Sequence, residues 1–491
     1  MKVPSAESAR DSLRFITSKP HIAGTPGDFE ASQLQQRHPF LSKDKMLAAG
    51  IPKAEIQPVD VLLSYPVDRS LRLKDKITGE VLFEAPLEEK IIAEDPTTDT
   101  WWRNHTFNGY SPSGSVEAPA VYANYARPED LDELERMGVS IEGMVVIARY
   151  GTCFRGLKAM NVQRRGGVGL IIYSDPEEDG FRKGATYPDG GWRPRSGVQR
   201  GSVVFNSLCA GDPARAAAGS ESVETLCGYT QRELTPSIPV LAVSWGDAEP
   251  LLRALGGQVA PAGFQGGLNM VYMVGSSTSS VSVQLHVENE EHVGPIWNVI
   301  AEVPGTLSWS SVKGGGEGDQ DQGQDRDRPV VLGNHRDAWV FGAVDPNSGT
   351  AALLEVARGL GKLVKGGWQP PRTIVLCSWS GEELGMLGST AWGEANAKGI
   401  LAKAIAYLNV DEAVSGPKLK VIATPSLGTL IRHTLSDVED PNTGQTMAEV
   451  WTGELKVLGS GSDYAVFLDH LGIASIDYGL KADLDDDYGT Y

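Results

Sequence analysis

Two adjacent glutamates, Glu382 and Glu383, follow an apolar run, with His335 and Asp345 before them and Asp411 after. A hydrolytic zinc takes imidazole and carboxylate ligands and keeps one position for water, and two zincs can share one carboxylate. His335, Asp345, Glu383 and Asp411 supply one imidazole and three carboxylates. Glu382 neighbours a ligand, but consecutive residues at a strand end point apart, so it is placed to act as general base toward a water. Asp337, two residues after His335, can accept the second imidazole N–H and fix the tautomer. This inventory suits metal-assisted hydrolysis.

Each of these residues stands close behind a particular kind of segment. The runs 329–334, 372–379 and 404–410 are short, apolar and rich in β-branched residues, the pattern of buried strands. Between them, 349–360 and 383–398 read as helices, the first opened by the capping candidates Asn347 and Ser348. Strands alternating with helices predict right-handed crossovers and a mostly parallel α/β sheet flanked by helices. Such sheets bind ligands beyond the carboxyl ends of their strands, so the donors converge.

Taken singly, each residue has an ordinary role. A histidine can end a strand, a Glu-Glu pair can favour a helix dipole, and Asp-Pro can open a turn. Taken together, acidic or imidazole groups at three strand ends and in the loops after them have no common structural task.

The stretches His335–Gly349, Ser378–Thr390 and Leu408–Asp411 resemble the glutamate carboxypeptidase II branch of the di-zinc exopeptidases. The resemblance covers nearly the whole chain, from 20–25 and 60–66 to 458–463. It implies that Asp345 bridges two zincs, that His335 and Asp411 complete one and Glu383 serves the other, and that Glu382 is the base. It further implies a peptide substrate, with contacts at Arg200, Ser462 and Tyr491. Arg200 would grip a terminal carboxylate, a task that suits its bidentate fork. The family's second histidine ligand follows a tyrosine at the place where this sequence reaches Tyr491 and stops. His433 and His470, the only histidines beyond Asp411, lie elsewhere. The second zinc site is therefore expected to be incomplete and the activity of this chain impaired. The resemblance also implies homodimers built through a carboxy-terminal helical domain that this sequence lacks. It implies an amino-terminal membrane anchor, missing here, and a lumenal or extracellular location. Two other readings share the scaffold: a non-catalytic receptor or trafficking protein, and an aminopeptidase.

Substrate choice stays open at this level. The stretch 473–479 contains no arginine, and Lys420-Val-Ile422 stands where the family pattern has Arg-Val-Asp. An acidic penultimate residue thus lacks its electrostatic partner.

The resemblance divides the chain into a first peptidase segment, 1–110, an inserted β-rich protease-associated domain, 111–285, and a second peptidase segment, 286–491. Strand-like runs at 120–125, 143–150 and 169–175, with a helix at 156–166, carry the insert. The polar, glycine-rich stretch 314–328 reads as a disordered loop, and Asp483 to Asp487 as a solvated one. With 44 basic against 63 acidic residues and a formal charge of −19, the composition gives no support to nucleic-acid binding. Among Cys153, Cys209, Cys227 and Cys377, a disulfide between Cys209 and Cys227 is possible. The sequence shows no signal peptide and no apolar run of about eighteen residues. The sequon Asn104-His-Thr106 is compatible with a lumenal protein.

Overall fold

The computed structural model describes residues 4–32, 42–307 and 327–482. Tyr491, Asp483 to Asp487 and residues 314–326 of the glycine-rich stretch lie outside the described residues. The chain forms two compact units. The first gathers Met1–Leu62, Ala210–Ser222 and Val293–Thr490, the second Leu63–Cys209 and Val223–His292. Two long strands, Lys53–Asp75 and Val281–Val303, contribute residues to both.

In the first unit, Val330–His335 lies between two parallel neighbours, Ile374–Trp379 and Ala406–Asn409. Ser475–Lys481 continues the parallel set beyond Ala406–Asn409. Antiparallel strands close it at Lys418–Ala423 and at residues 299–303. The sheet is thus mixed with a parallel centre. Alternation along Ile374–Trp379 explains why it is covered on both faces. Leu376 joins a cluster with Leu353, Leu354 and Ala357 of the helix Asn347–Lys365. Val375, Cys377 and Trp379 join another with Trp392, Tyr407 and Phe467. Side chains of a strand point to opposite faces in turn, so one apolar run serves two cores.

One glycine in the central strand has a visible reason. The Trp379 indole Nε1 donates to the Tyr407 hydroxyl at 2.9 Å, and this bonded pair leaves no room for a Cβ at Gly333.

Two local expectations need correction. The helix expected over 383–398 is two helices, Glu382–Gly385 and Leu387–Asn396. Met386 between them adopts a left-handed φ of 58°, and Gly381 before them a φ of 79°. Close packing explains the break: a Cβ on Gly388 would meet Ser380 O and Asn298 Oδ1. Asn347 and Ser348 do not cap their helix either, because they are already its first turn, behind Pro346. Their side chains turn back, Ser348 Oγ to Val344 O at 2.6 Å and Asn347 Nδ2 to Gly342 O at 3.0 Å, and so hold the loop carrying Asp345.

The second unit contains a four-stranded parallel sheet, Ala120–Tyr122, Val145–Arg149, Gly169–Tyr173 and Val240–Val243. The helix Arg155–Arg164 connects the second strand to the third. Cys209 and Cys227 form a disulfide, while Cys153 and Cys377 are free.

Candidate functional site

The site sits where the strand order reverses. From Val330–His335 the chain crosses to one neighbour, Ile374–Trp379, and then to the other, Ala406–Asn409. Adjacent loops diverge at such a point and leave a crevice beyond the carboxyl ends of the strands. His335 is the last residue of its strand, Glu382 and Glu383 open the short helix after the second, and Asp411 lies two residues past the third. Asp345 comes from the loop before the helix Asn347–Lys365.

These elements bring the candidates together. His335 Nε2 lies 3.0 Å from Asp411 Oδ1, 3.4 Å from Asp345 Oδ1 and 3.9 Å from Glu382 Oε2. His335, Asp345 and Asp411 each offer a donor atom within 4.8 Å of the others, a separation one metal ion can bridge. Glu383 is buried beside them, and its Oε1 has no hydrogen-bond partner. A buried carboxylate oxygen without a donor is costly unless a cation completes it. Nitrogen and oxygen donors in this arrangement fit zinc.

The electrostatics agree. Burial opposes a charged His335, but Asp411 and Glu382 outweigh it and push the ring pKa well above its ordinary value. Burial, followed by the charge of Asp345, raises Glu383 well above the carboxylate range. Burial, assisted by Asp411, does the same to Glu382. Desolvation opposes a charged Asp411, yet the His335 charge and hydrogen bonds from His335 and Ser462 hold its pKa below the usual value. The cluster attracts positive charge, whether proton or metal.

Asp337 approaches the His335 ring with both its carboxylate and its carbonyl. Its carboxylate is 3.6 Å from His335 Nδ1, while its main-chain carbonyl is at 3.1 Å and takes the ring N–H. That bond leaves the Nε2 lone pair facing the carboxylates, the tautomer a metal needs. The Asp337 carboxylate instead accepts the backbone N–H groups of Glu382 at 3.1 Å and Glu383 at 3.3 Å. The first-turn amides of a helix lack internal acceptors, and a carboxylate there anchors them.

Ser462 donates a short hydrogen bond to Asp411 Oδ2 and accepts one from Asn409 Nδ2 at 3.0 Å. It therefore orients Asp411. Asp477 takes Asn409 Nδ2 at 2.9 Å and Asp411 N at 3.4 Å, and burial pushes its pKa up to about 6. Sequence reasoning gave no role to Asn409, Asp477 or Asp463. Asp463, 1% exposed, is pushed up to about 7, chiefly by burial. The motif containing Asp463 was visible, but nothing in its residue types distinguishes a buried acid from a loop acid.

Arg200 belongs to the other unit, where its buried guanidinium is already engaged. Nη2 meets Glu89 Oε2 at 2.8 Å and Trp102 O at 3.1 Å, and Nε donates to His105 O at 2.9 Å. Tyr491 lies outside the described residues.

Comparison with known proteins adds to this geometry. Residues 319–490 match Peptidase family M28, and residues 114–204 match the PA domain. A probable glutamate carboxypeptidase of Arthroderma benhamiae is 39% identical over 96% of this chain and 62% of its own length. The aminopeptidase NAALADL1 of Mus musculus is 32% identical over 97% of this chain and 64% of its own. The chain thus spans less than two thirds of the length of these relatives. A zinc aminopeptidase structure from Bacillus subtilis superposes with a TM-score of 0.56 at 15% identity, covering 100% of this chain and 88% of that one, a likeness of fold. The strand order and the donors at its reversal point agree with these matches, which liken residues 319–490 to peptidase family M28 and residues 114–204 to the PA domain.

Proposed function

We propose that this protein is a zinc-dependent exopeptidase that hydrolyses peptides, with His335, Asp345 and Asp411 holding one zinc and Asp345 and Glu383 facing a second. The observation that carries the reading is the set of three donors within 4.8 Å, beside the buried Glu383 and the partly buried Glu382. Zinc bound there supplies a Lewis acid that makes water acidic near neutral pH and polarises a carbonyl. Glu382 takes the proton from the attacking water at its carboxylate and returns it to the departing amine. Asp337 fixes the Glu382 backbone, and Ser462 fixes Asp411. Retention of His335, Asp345, Glu382, Glu383 and Asp411 argues against a non-catalytic receptor.

The domain reading that accompanies this is a peptidase formed by residues 1–110 and 286–491, interrupted by a PA domain at 111–285. A lumenal or extracellular setting is supported by the Cys209–Cys227 disulfide, a bond that persists in oxidising compartments. Among the described residues no helix is long and apolar enough to cross a membrane.

We read the activity as a carboxypeptidase, because relatives of 39% and 40% identity carry the name probable glutamate carboxypeptidase. Another relative is named an aminopeptidase, which keeps the opposite polarity in play. Hydrolysis of amino-blocked and carboxyl-blocked dipeptides separates them. Cleavage confined to amino-blocked substrates supports a carboxypeptidase, and cleavage confined to carboxyl-blocked ones replaces it with an aminopeptidase. Release of product without zinc dependence would remove the metallopeptidase reading altogether.

A further inference from the structure

Residues 20–29 precede the nearest candidate ligand by some three hundred positions in the chain, yet they reach both loops that carry the site. Asp28, on the helix Pro26–Ser32, is fully buried, and so is Arg336, the residue after His335. Arg336 Nη2 donates to Asp28 Oδ1 at 2.8 Å. Ser380, two residues before Glu382, donates its hydroxyl to Asp28 Oδ2 at 2.6 Å. One carboxylate thus ties the strand end of His335 to the strand end of the glutamate pair. Nη2 also donates to Trp297 O at 2.9 Å and Nη1 to Ser378 Oγ at 3.0 Å, while the buried Nε has no hydrogen-bond partner.

The same segment grips the Asp345 loop. His21 N donates to Val340 O at 3.1 Å, and Ala338 N donates to His21 O at 3.3 Å. The His21 ring gives its Nδ1 hydrogen to Lys19 O at 2.8 Å, and Nε2 accepts from Asn347 Nδ2 at 2.8 Å. Residues 338, 340 and 347 bracket Asp345 on both sides. A well-packed apolar pair in place of Asp28 and Arg336 would stabilise the fold as well or better. What hydrogen bonds from Arg336 and Ser380 to one carboxylate add is direction.

We infer that residues 20–29 form a positioning element for the candidate metal site, in which Asp28 sets the spacing between His335 and the glutamate pair and His21 holds the loop of Asp345. This rests on the metallopeptidase reading, and neither residue touches substrate or the reacting atoms.

The test uses the whole chain loaded with cobalt(II), whose visible spectrum reports ligand geometry, together with peptide kinetics. For D28N, cobalt affinity is expected to fall at least tenfold, the saturated spectrum to change, and kcat to fall at least tenfold with KM within twofold. D179N, which breaks the buried Asp179–Arg193 pair of the other unit, is the control for lost stability alone. It is expected to lower the thermal midpoint and leave cobalt affinity and spectrum unchanged. A folded D28N with wild-type cobalt affinity and spectrum overturns the inference, whatever its thermal midpoint. Should D28N fail to fold, H21Q is read by the same measurements and the same criteria decide. The cobalt readout is independent of turnover. Loss of the metallopeptidase reading, seen as product release without metal dependence, is therefore distinguishable from loss of this one.

Discussion

The Nε2 atom of His335 lies 3.0 Å from Oδ1 of Asp411, although 76 residues separate the two in sequence. The distance is short because parallel pairing sets Gly333 opposite Asn409, two residues before each of them. Backbone register therefore places the donors, and side-chain bonds refine them.

Removing the Ser462 hydroxyl tests that refinement. In S462A, Asp411 loses the partner on Oδ2. Outer partners of metal ligands are worth roughly 10–100-fold in affinity or activity. We expect zinc affinity, measured by chelator competition, to fall by about tenfold, with little change in the thermal midpoint.

Asp337 offers a sharper separation. D337A removes the acceptor of the Glu382 and Glu383 amides but keeps the carbonyl that holds the His335 ring. Turnover is expected to fall far more than affinity for the first zinc. Equal losses in kcat and metal affinity would show that the carboxylate, rather than the carbonyl, governs the imidazole.

Gly333, two residues before His335, tests packing beneath the site. Alanine there must displace the Trp379–Tyr407 hydrogen bond. Overpacking of this kind costs about 1–3 kcal/mol, read as a lower denaturant midpoint. An unchanged midpoint would mean that the two aromatic side chains move apart freely.

The pH response of His21 has a definite sign. Burial lowers its pKa from 6.5 to about 4, so the folded chain keeps it neutral where the unfolded chain protonates it. The stability that depends on neutral His21 is complete above pH 6.5 and is lost as pH falls toward 4. The shift corresponds to about 3 kcal/mol at most. Wild type is expected to exceed H21Q in thermal midpoint at pH 7.5, with the gap closing by pH 4.5. A gap constant across that range would contradict a buried neutral ring.

Much of this was legible in the sequence because period-two alternation and the residues just after each apolar run are local signals. The runs 329–334, 372–379 and 404–410 identified three strands, which the structure has at Val330–His335, Ile374–Trp379 and Ala406–Asn409. What stayed hidden depends on backbone contacts made across the fold. Asp337 meets the His335 ring through its carbonyl, which no side-chain type announces. Met386 takes a left-handed conformation because Gly388 must lie against Ser380 and Asn298, and a helix pattern read residue by residue runs straight through it. The partnership of Asp28 with Arg336 spans 308 residues and leaves no local trace.

The donors His335 and Asp345 follow one strand of the parallel centre and Asp411 follows its neighbour. A cation held by all three is therefore a crosslink between segments that the unfolded chain keeps far apart. Its binding free energy adds to the cooperativity of the sheet, at about 2.7 kcal/mol when free metal exceeds the dissociation constant a hundredfold. Metal supply would then set how long the folded chain survives as well as how fast it works.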